Sequence, residues 1–258
     1  MSAESTGSDP SAPAEPRRSA FRERVLRTPV TSALVAVNVL AAIVATASAA
    51  TVPWSSVGGA LLGDATPLHL WGALVPRPTR FSDVGVSVLG VAGGEYWRLA
   101  TNMFLHFGLL HLALNMYALV AIGPLLETTY GRGRYLTLYL VSGLVGSVAV
   151  FCFGGDTLTA GASGAIFGLF GALVPTLRRL GRSLGSIIPV VVVNLGITFL
   201  VPGISIAGHL GGLAAGLALG AVLGRWPRWA PAIIGATALT LAVLLVATLV
   251  RTLQLSAS

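Results

Sequence analysis

Charged residues are scarce in this chain of 258 residues: they make up 10% of it, whereas soluble domains carry about 25%. Nine residues are acidic, there is no lysine, and Cys152 is the one cysteine, which excludes an intramolecular disulfide. Hydrophobic residues make up 54% of the sequence, and its mean hydropathy is +0.83. This composition excludes an ordinary soluble domain and predicts an integral membrane protein with several spans.

Seven apolar runs follow an N-terminal segment of small, polar and basic residues, 1–29, which we expect to be a disordered basic cytoplasmic tail. A helix needs about 20 apolar residues to cross the hydrocarbon, and helices satisfy their own backbone groups there. We therefore predict an all-α polytopic membrane protein. The predicted spans are 30–49, 106–126, 135–153, 161–177, 186–201, 205–223 and 230–250.

The basic residues predict the orientation of these spans. All sixteen are arginines, and twelve of them fall on the side of the N-terminus if the runs cross in alternation. The positive-inside rule then places the N-terminus in the cytoplasm and the C-terminus outside, and we expect a bacterial plasma membrane. The net charge of +7 is explained by this topology, so no nucleic-acid partner is expected. The long external connection, 50–105, is rich in aromatic residues and should lie partly in the outer membrane interface.

Polar side chains inside a membrane are costly and mark functional sites. His111 and Asn115 lie near the outer end of the second run, Ser163 begins the fourth, and His209 begins the sixth. These three runs all start on the outer side, so the polar residues should lie at one depth. Asn194 in the fifth run is expected to make a packing hydrogen bond.

The positions of the acidic residues exclude several chemistries. Eight lie in the tail, the long connection or an outer turn, and Glu127 is at the cytoplasmic end of the second run. An aspartyl protease or an H-E-x-x-H zinc protease would need acids at the depth of Ser163. His106 and His111 are about 140° apart around a helix, which disfavours a shared metal. We expect no metal and no cofactor.

A serine and a histidine remain, and a histidine within reach can activate a serine hydroxyl. For Ser163 alone, a small packing residue is the favoured interpretation. Contact between the fourth and sixth helices would decide between the two, and small residues at every fourth position permit such contact. These residues are Ala160, Gly164, Gly168 and Ala172 in one helix and Gly208, Gly212, Gly216 and Gly220 in the other.

Five segments together resemble the rhomboid intramembrane serine proteases. They are "GASGAIFGL" at 161–169, "HFGLLHLALNMYAL" at 106–119, "GHLGGLAAGL" at 208–217, "EYWRLATNMFLHFG" at 95–108 and "LLETTYGRGRYLTLYLVSG" at 125–143. The resemblance covers about residues 95–220 and implies a rhomboid-type six-helix core, 30–226, with an extra seventh transmembrane helix and short tail in 227–258.

The resemblance also implies roles for individual residues. Ser163 would be the nucleophile, His209 the general base, and His111 with Asn115 the oxyanion stabilisers. Gly161, Gly164 and Phe167 would support the site, with Phe167 packed on His209. His106, Trp97 and Arg98 would be structural.

The expected activity is therefore serine endopeptidase cleavage of transmembrane segments in other membrane proteins, through an acyl-enzyme. The partners would be those substrates and membrane lipid. The alternatives are a non-catalytic rhomboid-fold protein that binds transmembrane helices, and a small-solute channel or carrier.

Overall fold

The computed structural model describes residues 28–183, 205–225 and 230–256, with isolated positions 185, 189, 192 and 193 between the first two ranges. The fifth predicted span, 186–201, and Asn194 therefore lie outside the described residues, apart from those isolated positions, as does most of the predicted tail. The elements are α1 Pro29–Ser48, α2 Val57–Leu62, α3 Pro67–Gly72, β1 Thr79–Phe81, β2 Val86–Val88, α4 Arg98–Thr101, α5 Gly108–Tyr130, α6 Arg132–Phe153, α7 Ser163–Arg179, α8 Ile206–Arg225 and α9 Ala230–Ser256.

Four stretches in the described part of the chain are long and apolar enough to cross a membrane. They are Pro29–Thr51, Gly108–Tyr130, Arg132–Phe153 and Ile206–Leu223, and they match the first, second, third and sixth predicted spans. Helix α7 has 17 residues, at the short end for a crossing. Helix α9 contains the seventh predicted span, 230–250, but the apolar stretch described in it is Thr240–Leu255, which is shorter than a full crossing. The chain is thus mostly helical, and the six-plus-one arrangement stays a prediction.

The prediction of an all-α protein was wrong for the connection 50–105. It folds into three short α-helices, a 3₁₀ turn at Asn102–Phe104 and an antiparallel hairpin, in which Thr79 of β1 lies opposite Val88 of β2. Glycine and proline interrupt this segment, so it lacks the unbroken apolar run that a spanning helix needs. The apolar and polar alternation of the two strands suits a half-buried pair, and Gly85 turns the chain with φ +68°.

Helices α7 and α8 pack backbone to backbone along their small residues, as the stripes predicted. A Cβ on Gly212 would overlap the carbonyl oxygen of Gly164, and one on Gly216 would overlap that of Gly168. Ala160 precedes α7 and so is not part of the helical stripe. Helix α6 approaches the same pair, since a Cβ on Gly146 would lie 2.8 Å from the carbonyl oxygen of Gly208. Close packing of these three helices places the starts of α7 and α8 side by side.

The outer helices pack around this centre. Helix α1 packs on α5 in the opposite direction, because the first turn of α1 binds Glu127 near the end of α5. Helix α9 packs on α6, and Leu255 near its end contacts a buried cluster formed by Leu74, Val91, Val150 and Phe151. The last turn of α9 is therefore at the same end of the bundle as the last turn of α6 and the first turn of α7.

Candidate active site

The shortest contact between two functional side chains joins α7 and α8. Ser163 is the first residue of α7, and its Oγ lies 2.7 Å from Nε2 of His209 in the first turn of α8. His209 is buried, whereas Ser163 keeps partial exposure. This distance is that of a good hydrogen bond and lets the imidazole accept the hydroxyl proton.

The ring of Phe167 holds the imidazole in place. Its centroid lies 4.1 Å from that of His209, and the two planes are 13° apart. Phe167 lies one turn after Ser163 on α7, so the same helix provides the hydroxyl and the stacking surface. The predicted packing of Phe167 on His209 is therefore confirmed.

His111 approaches the same serine from α5. A methyl group on Gly161 would lie 2.9 Å from Cε1 and Nε2 of His111 and 3.4 Å from Oγ of Ser163, so the glycine faces both side chains. Asn115 lies one turn further along α5, and its Nδ2 donates to the His111 carbonyl at 3.0 Å. An amide NH₂ has two donors, so a second N–H of Asn115 is left for another acceptor at this buried position.

The backbone before Ser163 is held by hydrogen bonds to two residues of the external connection and to the residue that follows it. Thr159 pairs with Leu74, with N–H to O distances of 2.8 and 2.9 Å. Gly161 N–H donates to the Asn102 carbonyl at 2.9 Å, and Ala162 N–H donates to Nε2 of His106 at 3.4 Å. We call residues 159–163 the serine loop.

Glycines flank the serine for two different reasons. Gly161 takes φ +141°, a backbone conformation that favours glycine. Gly164 lies where α7 approaches α8, since a Cβ on it would be 3.4 Å from the carbonyl oxygen of Gly208. The first glycine therefore shapes the serine loop, and the second brings the helix of Ser163 close to that of His209.

Arg98 and Trp97 anchor the external connection, as expected. The Arg98 guanidinium is 1% exposed, donating to the Ala73 carbonyl and to Oε2 of Glu95, each at 2.7 Å. The indole N–H of Trp97 donates to the Trp71 carbonyl at 3.1 Å.

Sequence reasoning missed two polar residues next to the site. Asn102 supplies the carbonyl that holds Gly161, and its Nδ2 donates to Oγ of Ser147 at 3.0 Å. His69 lies in α3, and its Nε2 is 3.0 Å from the carbonyl oxygen of His106. Both lie in the external connection, outside the predicted spans. The sequence signal that could have drawn attention to His69 is Thr66 followed by Pro67, a common start of a helix.

The histidines near Ser163 are not arranged as a metal site. In the ranges that the structure describes, no group of three or more histidine, cysteine or acidic side chains is close enough to hold a metal ion. Glu127 lies more than four turns along α5 from His111, about 24 Å away at the rise of an α-helix. The described groups that surround Ser163 are therefore imidazoles, an amide and backbone N–H groups.

Comparison with known proteins identifies the family. The Rhomboid domain model matches residues 93–226, just over half of the chain. Rhomboid protease GluP of Bacillus subtilis is 45% identical over 139 residues, which cover 52% of this chain and 27% of GluP. RHOMBOID-like protein 5 of Arabidopsis thaliana is 40% identical over 149 residues, which cover 54% of this chain and 48% of that protein.

A shorter relative is matched over more of its length. The putative rhomboid protease YdcA of Bacillus subtilis is 36% identical over 137 residues, which cover 51% of this chain and 69% of YdcA. The matched residues make up 27% of GluP and 48% of RHOMBOID-like protein 5, so the chain spans less than half the length of either relative. On the domain match and these identities, the chain belongs to the rhomboid family.

Proposed function

We propose that this chain is an intramembrane serine endopeptidase that cleaves transmembrane segments of other membrane proteins. The observation that carries the proposal is the 2.7 Å contact between Oγ of Ser163 and Nε2 of His209. The name of GluP as a rhomboid protease supports protease activity in this family.

In the proposed acylation step, Oγ of Ser163 attacks the scissile carbonyl carbon while Nε2 of His209 takes the hydroxyl proton. The C–O bond to serine forms and the carbonyl oxygen becomes an oxyanion. The intermediate then collapses, the C–N bond breaks, and the imidazolium of His209 gives its proton to the leaving amine. The product is an acyl-enzyme and a free amine, so the proton taken from serine leaves with the amine.

His111, Asn115 and the backbone N–H of Ser163 would stabilise the oxyanion. Ser163 is the first residue of α7, so its N–H has no acceptor within the helix and lies at the positive end of the helix dipole. Gly161 leaves the space between His111 and Ser163 open for a carbonyl oxygen. Losing one such donor costs on the order of 10²–10³ in rate.

Deacylation repeats the chemistry with water. His209 removes a proton from a water molecule while the water oxygen attacks the ester carbon. The tetrahedral intermediate then collapses, the C–O bond to Ser163 breaks, and the protonated imidazole gives its proton to Oγ, which releases the carboxylic acid product and the free enzyme. In a catalytic triad a carboxylate orients the histidine, and here the stacked ring of Phe167 would restrict it instead. The proposed mechanism needs no metal or cofactor.

The proposed setting is a plasma membrane, with the N-terminus in the cytoplasm, the C-terminus outside and the site near the outer surface. Four apolar helices support an integral membrane protein. The substrates would be membrane proteins with small residues at the cut and a helix that unwinds easily near it.

A fluorophosphonate probe tests this proposal, because it reacts covalently with an activated serine. The purified wild-type protein should label, and Ser163→Ala and His209→Ala should not. Ser142→Ala is a matched control, since this serine is fully buried in α6, and it should label like the wild type. Without labelling of wild type under conditions that label an active rhomboid protease, the chain would instead be a non-catalytic protein that binds transmembrane helices.

A further inference from the structure

His69 makes a complete set of hydrogen bonds in the buried part of the external connection. Its side chain is 1% exposed. Nδ1 lies 2.9 Å from Oγ1 of Thr66 and accepts from the Thr66 N–H at 3.3 Å. Because a backbone N–H can only donate, Nδ1 is the acceptor, and the neutral ring carries its proton on Nε2. Nε2 donates this proton to the carbonyl oxygen of His106, with 3.0 Å between the nitrogen and the oxygen.

The same ring packs on the residue that begins α5. The centroids of His69 and Phe107 are 4.6 Å apart, with planes 20° apart, and Phe107 is the residue immediately before α5. His69 therefore contacts two consecutive residues, one by a hydrogen bond and one by stacking. This pair of contacts fixes where α5 starts, and so the depth and rotation at which α5 presents His111.

A second route runs through the side chain of His106. Its Nε2 accepts the Ala162 N–H of the serine loop, and its ring meets that of His111 edge to face at a centroid distance of 5.0 Å. A shift of the His106 backbone would therefore move both the peptide before Ser163 and the ring of His111. Displacements of about 1 Å in such groups can cost a factor of about 100 in rate.

We propose that His69 is a positioning residue for the peptidase reaction: it donates to the His106 carbonyl and packs on Phe107, and thereby holds His111 and the serine loop in register with Ser163. Its described contacts are with Thr66, His106 and Phe107, so its effect on the reaction is indirect. The expected effect on the reaction rate rests on the proposed function. The expected effect on the order of the serine loop does not depend on it.

Two substitutions divide the contacts of His69. Glutamine places an N–H near the position of Nε2 and keeps the bond to His106. Asparagine places an acceptor near the position of Nδ1 and keeps the contact with Thr66 but cannot reach His106. Fluorophosphonate labelling of each purified variant gives an inactivation rate constant and a separate binding constant. We expect His69→Asn to lower the rate constant by about 10- to 100-fold with little change in the binding constant, and His69→Gln to restore most of it.

Amide hydrogen exchange of residues 159–163 provides a second readout, measured in the Ser163→Ala background so that no activity is needed. His69→Asn should raise exchange in this loop, and His69→Gln should not. The proposal is overturned if His69→Asn reacts like the wild type, or if both variants lose rate and melting temperature equally. It is also overturned if exchange in the loop is the same in all three proteins. A wild type that does not label refutes the proposed function, and the exchange data still decide the role of His69.

Discussion

Glu127 connects the end of α5 to the beginning of α1, and its replacement tests how the first helix is held in place. The carboxylate is 2% exposed. It accepts the Val30 N–H at 3.0 Å, the Thr31 N–H at 2.8 Å and the Thr31 hydroxyl at 2.7 Å. Val30 and Thr31 lie in the first turn of α1, whose N–H groups have no partner within the helix. Glu127, 96 positions after Thr31, therefore caps the N-terminus of α1.

Glu127→Ala would leave two backbone N–H groups and a hydroxyl buried without this acceptor. Hydrogen bonds to charged groups contribute about 1.5–3 kcal/mol each, and the three are not additive because they share one carboxylate. Each buried donor left without its acceptor costs about 1–3 kcal/mol, and with three donors losing the same carboxylate we expect a total loss of about 3–5 kcal/mol. Glu127→Gln keeps one carbonyl oxygen but loses the charge at the helix N-terminus, so its expected loss is about 1–2 kcal/mol.

The free energy of unfolding can be measured in dodecyl maltoside micelles titrated with sodium dodecyl sulfate, with circular dichroism as the signal. Asp83→Ala removes an exposed carboxylate from the external hairpin and serves as the control, with an expected change within about 0.5 kcal/mol. The reasoning is refuted if the free energy of unfolding of Glu127→Ala is within about 1 kcal/mol of the wild-type value, or if alanine and glutamine at this position are equally costly.

Glycine packing and histidine burial lead to three further predictions. Gly161→Ala should reduce fluorophosphonate labelling at least about tenfold. The added methyl group would collide with His111, and the φ of Gly161 costs an alanine about 1–3 kcal/mol. Normal labelling of this variant would contradict the prediction. Gly216→Ala should lower the melting temperature clearly, because its methyl group would collide with the backbone of Gly168. Gly235→Ala is the control and should have little effect, since open space surrounds that position. Equal effects of the two substitutions would argue against close packing of α7 on α8. Burial, and then the charge of His111, lowers the pKa of His69 below its usual 6.5. As the pH falls, the unfolded chain therefore binds a proton at His69 before the folded protein does. The melting temperature of the wild type should fall as the pH drops below about 6.5, and that of His69→Gln should fall less. The same pH dependence of melting temperature in both proteins would contradict the prediction.

Much of the helical framework was predictable because hydrophobicity and length are properties of a local segment. The predicted span 205–223 is observed as Ile206–Arg225, and 30–49 as Pro29–Ser48. The contact between α7 and α8 was also predictable, since glycines at every fourth position mark a face where backbones can meet. The hairpin at 79–88 was not foreseen, because its two three-residue strands are too short to give a periodic signal.

The residues of the candidate site likewise fall into those that the sequence predicted and those that it did not. Ser163, His209, His111 and Asn115 stood out because polar residues are rare inside apolar runs, whatever the fold around them. His69 and Asn102 lie in a polar connection, where histidine and asparagine are common, so composition did not distinguish them. The capping of α1 by Glu127 was equally hidden, because it joins residues far apart in the chain.

The sequence by itself determined the chemical groups of this protein, the apolar helices that carry them and, through the family motifs, the pairing expected between a serine and a histidine. Only the tertiary structure decided the distances: the 2.7 Å between Ser163 and His209, the stacking of Phe167, and the hold of His69 and Asn102 on the segments around the serine loop. The physical reason is that helix formation depends on neighbouring residues, whereas each of these contacts depends on how separate helices and loops pack against one another.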